Sequence, residues 1–174
     1  DALTGLNNRN RFRKYFLSLM SGSVAQKSNT YLTYIDIDDF KQINDNYGHL
    51  MGDLALRTVA ESMRDIGDRT HAFLARIGGD EFLGIITNIK EHDFLMLSDM
   101  IKAFMSSDKG FSVSVGSYWT KFGINIQKAI NNAETDMYAE KKKFYRNLGS
   151  AEIKVEDPRY RSQNDSLLNI IEPD

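Results

Sequence analysis

Two groups of acidic residues in this sequence have the composition of a divalent-cation site. The first, at 36–41 (DIDDFK), directly follows an apolar run, and the second, within 76–82 (RIGGDEF), directly follows a Gly-Gly pair. Carboxylates brought together from two strands are the oxygen ligands that a divalent cation needs beside a triphosphate. An acid at the end of a buried strand, such as Asp36, is costly unless it is paired or bound to metal. Together the two groups predict a metal-dependent site for phosphoryl transfer.

Each acidic group has a simpler interpretation when it is taken alone. The acids of the first group would cap the helix that follows them, and Asp80 and Glu81 would be solvated side chains after a turn. An antiparallel arrangement favours the functional interpretation, because it brings the tip of a hairpin beside the end of the central strand. The turn at 39–41 would also direct backbone N–H groups at a phosphate.

The bulk composition indicates one globular domain. The chain has 174 residues, of which 41% are hydrophobic and 26% charged, and it is long enough to bury its own core. A net charge of -2 argues against a general nucleic-acid binder, and the lack of cysteine excludes disulfides and thiolate metal sites. No apolar run approaches the roughly 20 residues that span a bilayer, so we expect no direct membrane contact. The start at Asp1 suggests an excised module that lacks an upstream sensory domain.

Hydrophobic periodicity predicts the elements that must position these acids. Helices are expected at 8–20, at 39–46, at 91–106 and at 126–145, and a longer helix is expected to follow Gly48 and to end at a C-cap at Gly67. Strands are expected at 31–35, 71–77, 81–87 and 111–119. Gly78-Gly79 predicts a tight hairpin turn, since such turns need positive φ.

These elements predict an α/β fold of the mixed α+β kind. One sheet covered by helices would include a β-hairpin, so at least part of that sheet would be antiparallel. We expect one domain over 1–150. The remainder, 151–174, holds both prolines of the chain and is expected to be a polar tail, in which 151–155 would add a strand.

Several separated motifs resemble the GGDEF domain family of diguanylate cyclases. They are found, in the family's order, at 1–9 (DALTGLNNR), 36–45 (DIDDFKQIND), 48–53 (GHLMGD), 76–82 (RIGGDEF) and 114–116 (SVG). The resemblance covers about residues 1–147. It implies a fold related to polymerase palms and nucleotidyl cyclases, with a central sheet of about five strands flanked by helices. It also implies condensation of two GTP molecules into cyclic di-GMP, with release of two pyrophosphates, across a transient antiparallel homodimer.

The resemblance further implies two Mg²⁺ or Mn²⁺ ions in each active site. By position, Asp36, the carbonyl group of Ile37, Asp80 and Glu81 would bind metal. Asp80 would also be the base for the 3′-hydroxyl, and Glu81 would hold the second metal or a phosphate-binding lysine. Neighbouring strand residues point to opposite faces, so Asp80 and Glu81 should not share one role. The sequence leaves open which of the two takes the proton.

The same resemblance assigns nucleotide contacts to Phe40, Lys41, Asn44, His49, Asp53, Gly78, Gly79, Lys141 and Arg146. Asn44 and Asp53 match the family's guanine readers. A carboxylate accepts from guanine N1–H and the 2-amino group, which adenine does not offer together, so ATP is disfavoured as a substrate. Without the motif, these two residues would be taken for a helix surface and a helix cap, and His49 for a packed loop residue.

Two motifs depart from the family pattern. The family's last helix ends Ala-Lys-x-x-Gly-Arg-Asn, and here Lys141 matches the lysine, while Phe144 and Tyr145 replace the glycine and arginine. Arg146 comes one residue late and would bind phosphate only if the helix end shifts. The family's inhibitory Arg-x-x-Asp is represented by 69–72 (RTHA), which lacks the aspartate, so we predict weak or absent feedback by cyclic di-GMP there.

In the family, the lysine and arginine at the end of the last helix clamp phosphates. The change at the arginine position keeps a second interpretation open. In it, the domain binds GTP as a catalytically silent regulatory module. Because GTP is intracellular, both interpretations place the domain in the cytoplasm, even if its parent protein is anchored in a membrane.

Overall fold

The computed structural model describes residues 1–21, 29–105, 110–120 and 126–147. The helices are α1 (Arg9–Ser21), α2 (Phe40–Tyr47), α3 (His49–Thr70), α4 (Glu91–Met105) and α5 (Ile126–Asn147). The strands are β1 (Thr30–Ile37), β2 (Phe73–Arg76), β3 (Glu81–Thr87) and β4 (Val113–Thr120). The order of elements confirms the order predicted from the periodicity. No described helix is both long enough and apolar enough to cross a membrane.

The described strands form a four-stranded sheet in the order β2-β3-β1-β4, in which every neighbouring pair is antiparallel. Strand β1 is central and all of its residues are buried, which suits its run of aromatic and β-branched side chains. The mixed α/β class and the hairpin of β2 and β3 are confirmed. About five strands were expected, and the candidate fifth at 151–155 lies outside the described residues, as does the whole predicted tail.

Helices cover both faces of this sheet. Because side chains alternate along a strand, Tyr34 and Ile35 of β1 point to opposite faces. Tyr34 packs with Phe12 of α1 and Met137 of α5, whereas Ile35 belongs to the cluster formed with α3 and α4. Each such fully buried side chain contributes roughly 2 kcal/mol of hydrophobic stabilisation. The hydrophobic clusters on the two faces hold the sheet, and the carboxylates at its end, in a fixed position.

The predicted C-cap at Gly67 is wrong. Helix α3 continues to Thr70 and ends at His71, which is in the left-handed conformation with φ 55°. Gly67 is buried inside the helix, where an added Cβ would lie 2.6 Å from Leu74 Cδ1. The glycine therefore permits close packing of β2 on α3 instead of ending the helix.

The reason given for the Gly-Gly pair is also wrong, although the hairpin is present. Neither Gly78 nor Gly79 has φ in the left-handed region. The connection from β2 to β3 runs over residues 77–80 and is longer than a two-residue turn. Gly78 instead leaves room for the side chain of Glu81, which a Cβ at position 78 would meet.

Candidate active site

The two acidic groups predicted from the sequence lie side by side in the sheet. Asp36, the second-to-last residue of β1, is directly opposite Glu81 in β3 and Ser114 in β4. The backbone N–H of Ile37 donates to the carbonyl oxygen of Asp80 at 3.3 Å. Antiparallel pairing of β1 with β3 thus brings together acids that are 45 positions apart in the sequence.

Asp36 is a buried carboxylate with a cationic partner. It is 1% exposed, and its Oδ1 accepts a hydrogen bond from the Nζ of Lys141 in α5. Burial raises the pKa of Asp36 above its usual value, the ammonium group of Lys141 opposes this shift, and the nearby charge of Asp80 adds to it. A carboxylate in this setting is stabilised by any cation that approaches it.

Glu81 is hydrogen-bonded at one carboxylate oxygen and lies against a glycine at the other. Its Oε1 accepts a hydrogen bond of 2.9 Å from the hydroxyl group of Tyr34. Its Oε2 lies against Gly78, where an added Cβ would be only 2.0 Å away. Burial raises the pKa of Glu81, while the hydrogen bond from Tyr34 lowers it. Sequence analysis missed Tyr34, because nothing in an apolar strand marks one tyrosine as a partner of a distant acid.

A second buried acid, Glu134 of α5, lies near this group. Burial, followed by the negative charge of Glu81, raises the pKa of Glu134 to about 7. The pKa of Tyr34 is raised well above its usual value by burial and by the charges of Glu81 and Glu134. The phenol therefore stays neutral and donates a hydrogen bond to Glu81. Glu134 was not singled out in the sequence, where its spacing marks it only as part of a helix.

The hairpin loop is fixed by Arg76. Its guanidinium group donates to the carbonyl oxygen of Gly79, with an Nη2–O distance of 2.7 Å, and it forms an ion pair of 3.3 Å with Asp1. Asp1 also accepts hydrogen bonds from the backbone and the hydroxyl group of Thr4. These contacts give the first motif a structural role, since it ties the N-terminal loop to the acidic hairpin.

The turn between β1 and α2 is held by β4 and α5. Asp39, at the N-cap of α2, has φ 51° and makes no capping hydrogen bond through its side chain, so the capping interpretation is wrong for this residue. Its carboxylate accepts instead from the hydroxyl group of Tyr145 at 2.6 Å, and Asp38 accepts from Ser114 at 2.6 Å. Tyr145, which replaces the family arginine, therefore attaches the end of α5 to the turn.

The predicted guanine readers lie together where α2 meets α3. The side-chain oxygen of Asn44 packs on Gly52, because an added Cβ there would be 2.2 Å from it. Asp53, the next residue, is half-buried, and its charge favours the charged form of Arg76, whose pKa is lowered by burial. Asn44 therefore packs against the beginning of α3, where Asp53 also lies and acts through its charge on Arg76 beside the hairpin. His49 is exposed at the start of α3.

The remaining predicted nucleotide contacts differ in their surroundings. Phe40 is half-buried and Lys41 is exposed, both in the first turn of α2. Lys141 lies in the site, on Asp36, whereas Arg146 is exposed in the last turn of α5. At the position of the family's inhibitory motif, Arg69 is exposed near the end of α3 and Ala72 offers no side-chain acceptor.

The acids fit a cation that is shared with a phosphate. Among the described residues, no three His, Asp or Glu side chains form a complete metal-binding group. Mg²⁺ needs no such group, because it is usually held by one or two carboxylates, by water and by substrate phosphates. The buried carboxylate of Asp36, already paired with the ammonium group of Lys141, lies opposite Glu81, and this donor set suits a hard cation.

Comparison with known proteins agrees with this architecture. The family model "Diguanylate cyclase, GGDEF domain" matches residues 1–147, and the chain therefore belongs to the GGDEF domain family. Diguanylate cyclase DgcP of Escherichia coli (strain K12) is 30% identical over 152 residues, which cover 82% of this chain and 44% of DgcP. Cyclic di-GMP phosphodiesterase PdeR of the same organism is 29% identical over 154 residues, covering 81% of this chain and 22% of PdeR.

The solved structures include the GGDEF domain of DgcB from Caulobacter crescentus in complex with c-di-GMP. It has a TM-score of 0.69 and 28% identity, and the match covers 82% of this chain and 87% of that one. This likeness confirms the predicted fold class. The chain spans less than half the length of DgcP and of PdeR, so the activities of those whole proteins are not established for it.

Proposed function

We propose that this domain is a diguanylate cyclase, which joins two GTP molecules into cyclic di-GMP and releases two pyrophosphates. The observation that carries the proposal is the placement of Asp36 directly opposite Glu81, with Lys141 bonded to Asp36 in the same buried site. Acids and a lysine converging beside a glycine-containing loop suit phosphoryl transfer, in which positioning and electrostatics do most of the work.

In this proposal the acids hold the metal ions, and one of them also acts as the base. Asp36, the carbonyl group of Ile37, Asp80 and Glu81 would hold Mg²⁺ or Mn²⁺, which supplies charge neutralisation of the triphosphate when bound. Asp80 or Glu81 accepts the proton of the 3′-hydroxyl as that oxygen bonds to the α-phosphorus of the other GTP. The bond from that phosphorus to the oxygen bridging the α- and β-phosphates breaks, and pyrophosphate leaves. Lys141, which is bonded to Asp36 in this structure, moves its ammonium group toward the phosphates when nucleotide arrives.

Base recognition is assigned to the junction of α2 and α3. Asn44 packs on Gly52, which precedes Asp53 in α3. The carboxylate of Asp53 would accept from guanine N1–H and the 2-amino group, and the amide of Asn44 would add a further contact to the base. His49, Phe40 and Lys41 would contribute further contacts to the nucleotide. Gly78 and Gly79 would let the backbone approach it closely.

The reaction requires two loaded domains that face each other. Each domain binds one GTP, so the homodimer is a condition of turnover, and rate per mole of protein should rise with protein concentration. An upstream sensory domain would supply the signal by promoting this pairing. The intracellular substrate favours a domain that faces the cytoplasm.

The test is to incubate the purified domain with GTP and Mg²⁺ and to measure cyclic di-GMP by chromatography and mass spectrometry. Wild type should form product, with a rate that increases more than linearly with protein concentration. Asp80→Ala should abolish product and keep the thermal midpoint within a few degrees of wild type. Normal turnover by that variant would show that the catalytic assignment is wrong.

A catalytically silent domain that binds GTP as a sensor is the second candidate function. The observation in its favour is Tyr145, which replaces the family arginine and bonds to Asp39 instead of offering a charge to phosphate. Calorimetry decides between the two when it is combined with the product assay. GTP binding without product, at protein concentrations where the domain is a dimer, would favour the sensor.

A further inference from the structure

Tyr34 and Glu81 form a contact that the proposed reaction does not use. Tyr34 is 0% exposed, and its hydroxyl group donates to Oε1 of Glu81 at 2.9 Å. In the register of β1 with β3, Tyr34 is opposite Leu83 while Glu81 is opposite Asp36, so the contact is diagonal. Tyr34, Asp36 and Glu81 therefore lie on the same face of the sheet.

The other oxygen of Glu81 is confined as well. Oε2 lies against Gly78, where even one added carbon would be 2.0 Å away. The hydrogen bond from Tyr34 fixes the position of Oε1, and Oε2 occupies the space that a side chain at position 78 would fill. The side chain of Glu81 is thus already oriented beside Asp36 before any ligand binds.

We propose that Tyr34 is a positioning residue, whose hydroxyl group orients the carboxylate of Glu81 for divalent-cation binding. The inference rests on the proposed function in taking Glu81 as a cation ligand. Partners that orient a metal-binding side chain typically change metal affinity by 10–100-fold when they are removed. We expect the lower end of that range, about tenfold, because the phenol is a neutral donor and Glu81 keeps its place against Gly78.

Tyr31 provides a matched control in the same strand. It is also 0% exposed, its hydroxyl group lies 3.0 Å from the Oγ of Ser117, and it points to the opposite face of the sheet. Tyr31→Phe and Tyr34→Phe both remove one buried hydroxyl group from β1. A purely structural role for Tyr34 would give these two variants the same properties.

The experiment measures Mn²⁺ binding in the presence of a non-hydrolysable GTP analogue, by electron paramagnetic resonance of the free ion. Tyr34→Phe should raise the dissociation constant of Mn²⁺ about tenfold, and Tyr31→Phe should leave it within twofold of wild type. Glu81→Gln should weaken binding by itself, and adding Tyr34→Phe to it should have no further effect. Urea unfolding establishes that each variant is folded at the temperature used.

Three results would overturn the proposal: wild-type affinity in Tyr34→Phe, an equal loss in Tyr31→Phe, or an additive loss in the double variant with Glu81→Gln. Product formation by wild type is measured separately. Product from wild type together with unchanged Mn²⁺ affinity in Tyr34→Phe would refute the role of Tyr34 and leave the cyclase intact. Mn²⁺ binding without product, at protein concentrations where the domain is a dimer, would refute the cyclase, while the role of Tyr34 would still be decided by the titration.

Discussion

The ion pair between Lys141 and Asp36 gives the sharpest prediction of folding stability. The side chain of Asp36 is 2% exposed and that of Lys141 is 11% exposed. Lys141→Met keeps an unbranched, apolar chain of similar reach but leaves the carboxylate buried without its cation. Removing one partner of a buried pair typically costs about 3–5 kcal/mol. We expect about 3 kcal/mol at pH 8, the lower end, because Asp36 can bind a proton instead.

The loss should depend on pH, and the sign follows from the raised pKa of Asp36. A carboxyl group whose pKa is raised by folding contributes stability at low pH and loses it as the pH rises through the folded value. Removing Lys141 raises that pKa further, so the difference from wild type grows with pH. At pH 5 Asp36, whose pKa is raised to about 7, is protonated, so only the lost packing and hydrogen bond of Lys141 remain and we expect about half of the loss seen at pH 8. Asp36→Asn combined with Lys141→Met removes both charges and should cost about 1 kcal/mol.

The assay is urea unfolding in EDTA without nucleotide, followed by circular dichroism. With an m-value of about 2 kcal/mol/M, a loss of 3 kcal/mol lowers the midpoint by about 1.5 M. In a double-mutant cycle of Asp36→Asn and Lys141→Met, the coupling energy between the two substitutions should exceed about 1 kcal/mol. A Lys141→Met variant within about 0.5 kcal/mol of wild type at pH 8, or an equal loss at both pH values, would refute the reasoning.

Three further predictions follow from the same site. In EDTA, Glu134→Gln should gain up to about 2 kcal/mol of stability over wild type at pH 8 and nothing at pH 4.5, because ionising a buried acid with a pKa of about 7 costs stability as the pH rises. Urea unfolding checks this, with the exposed Glu61→Gln as control, and an equal gain at both pH values would contradict it. Gly78→Ala should displace the carboxylate of Glu81 and reduce product formation at least tenfold. Gly79→Ala adds a methyl group in open space and should reduce product formation less. Finally, EDTA should abolish product formation and leave the circular dichroism spectrum unchanged.

Local patterns predicted the architecture because they reflect how the elements are buried. The apolar run at 31–35 marks the central strand, since a strand buried on both faces has few polar side chains. The acidic groups could be assigned to one site because a hairpin with antiparallel pairing brings its tip to the strand end. Their convergence, with Asp36 opposite Glu81, followed from topology alone.

Other features depended on contacts that no local pattern reveals. Gly67 has the sequence signature of a helix end, but its role is set by Leu74, which packs on it from the next strand. Gly78 makes room for Glu81, a constraint that becomes visible only when the side chain is placed. The bond from Tyr145 to Asp39 depends on how far α5 reaches along the sheet.

The central claim is that Asp36 and Glu81 hold a divalent cation beneath the triphosphate of GTP. The most direct test is a crystal structure with Mn²⁺ and a non-hydrolysable GTP analogue, in which anomalous scattering locates the metal. We predict a peak about 2.1 Å from oxygens of both carboxylates and of the phosphates, with Lys141 moved from Asp36 to a phosphate. A bound nucleotide with no anomalous peak between these acids, and with Lys141 still on Asp36, would contradict the claim.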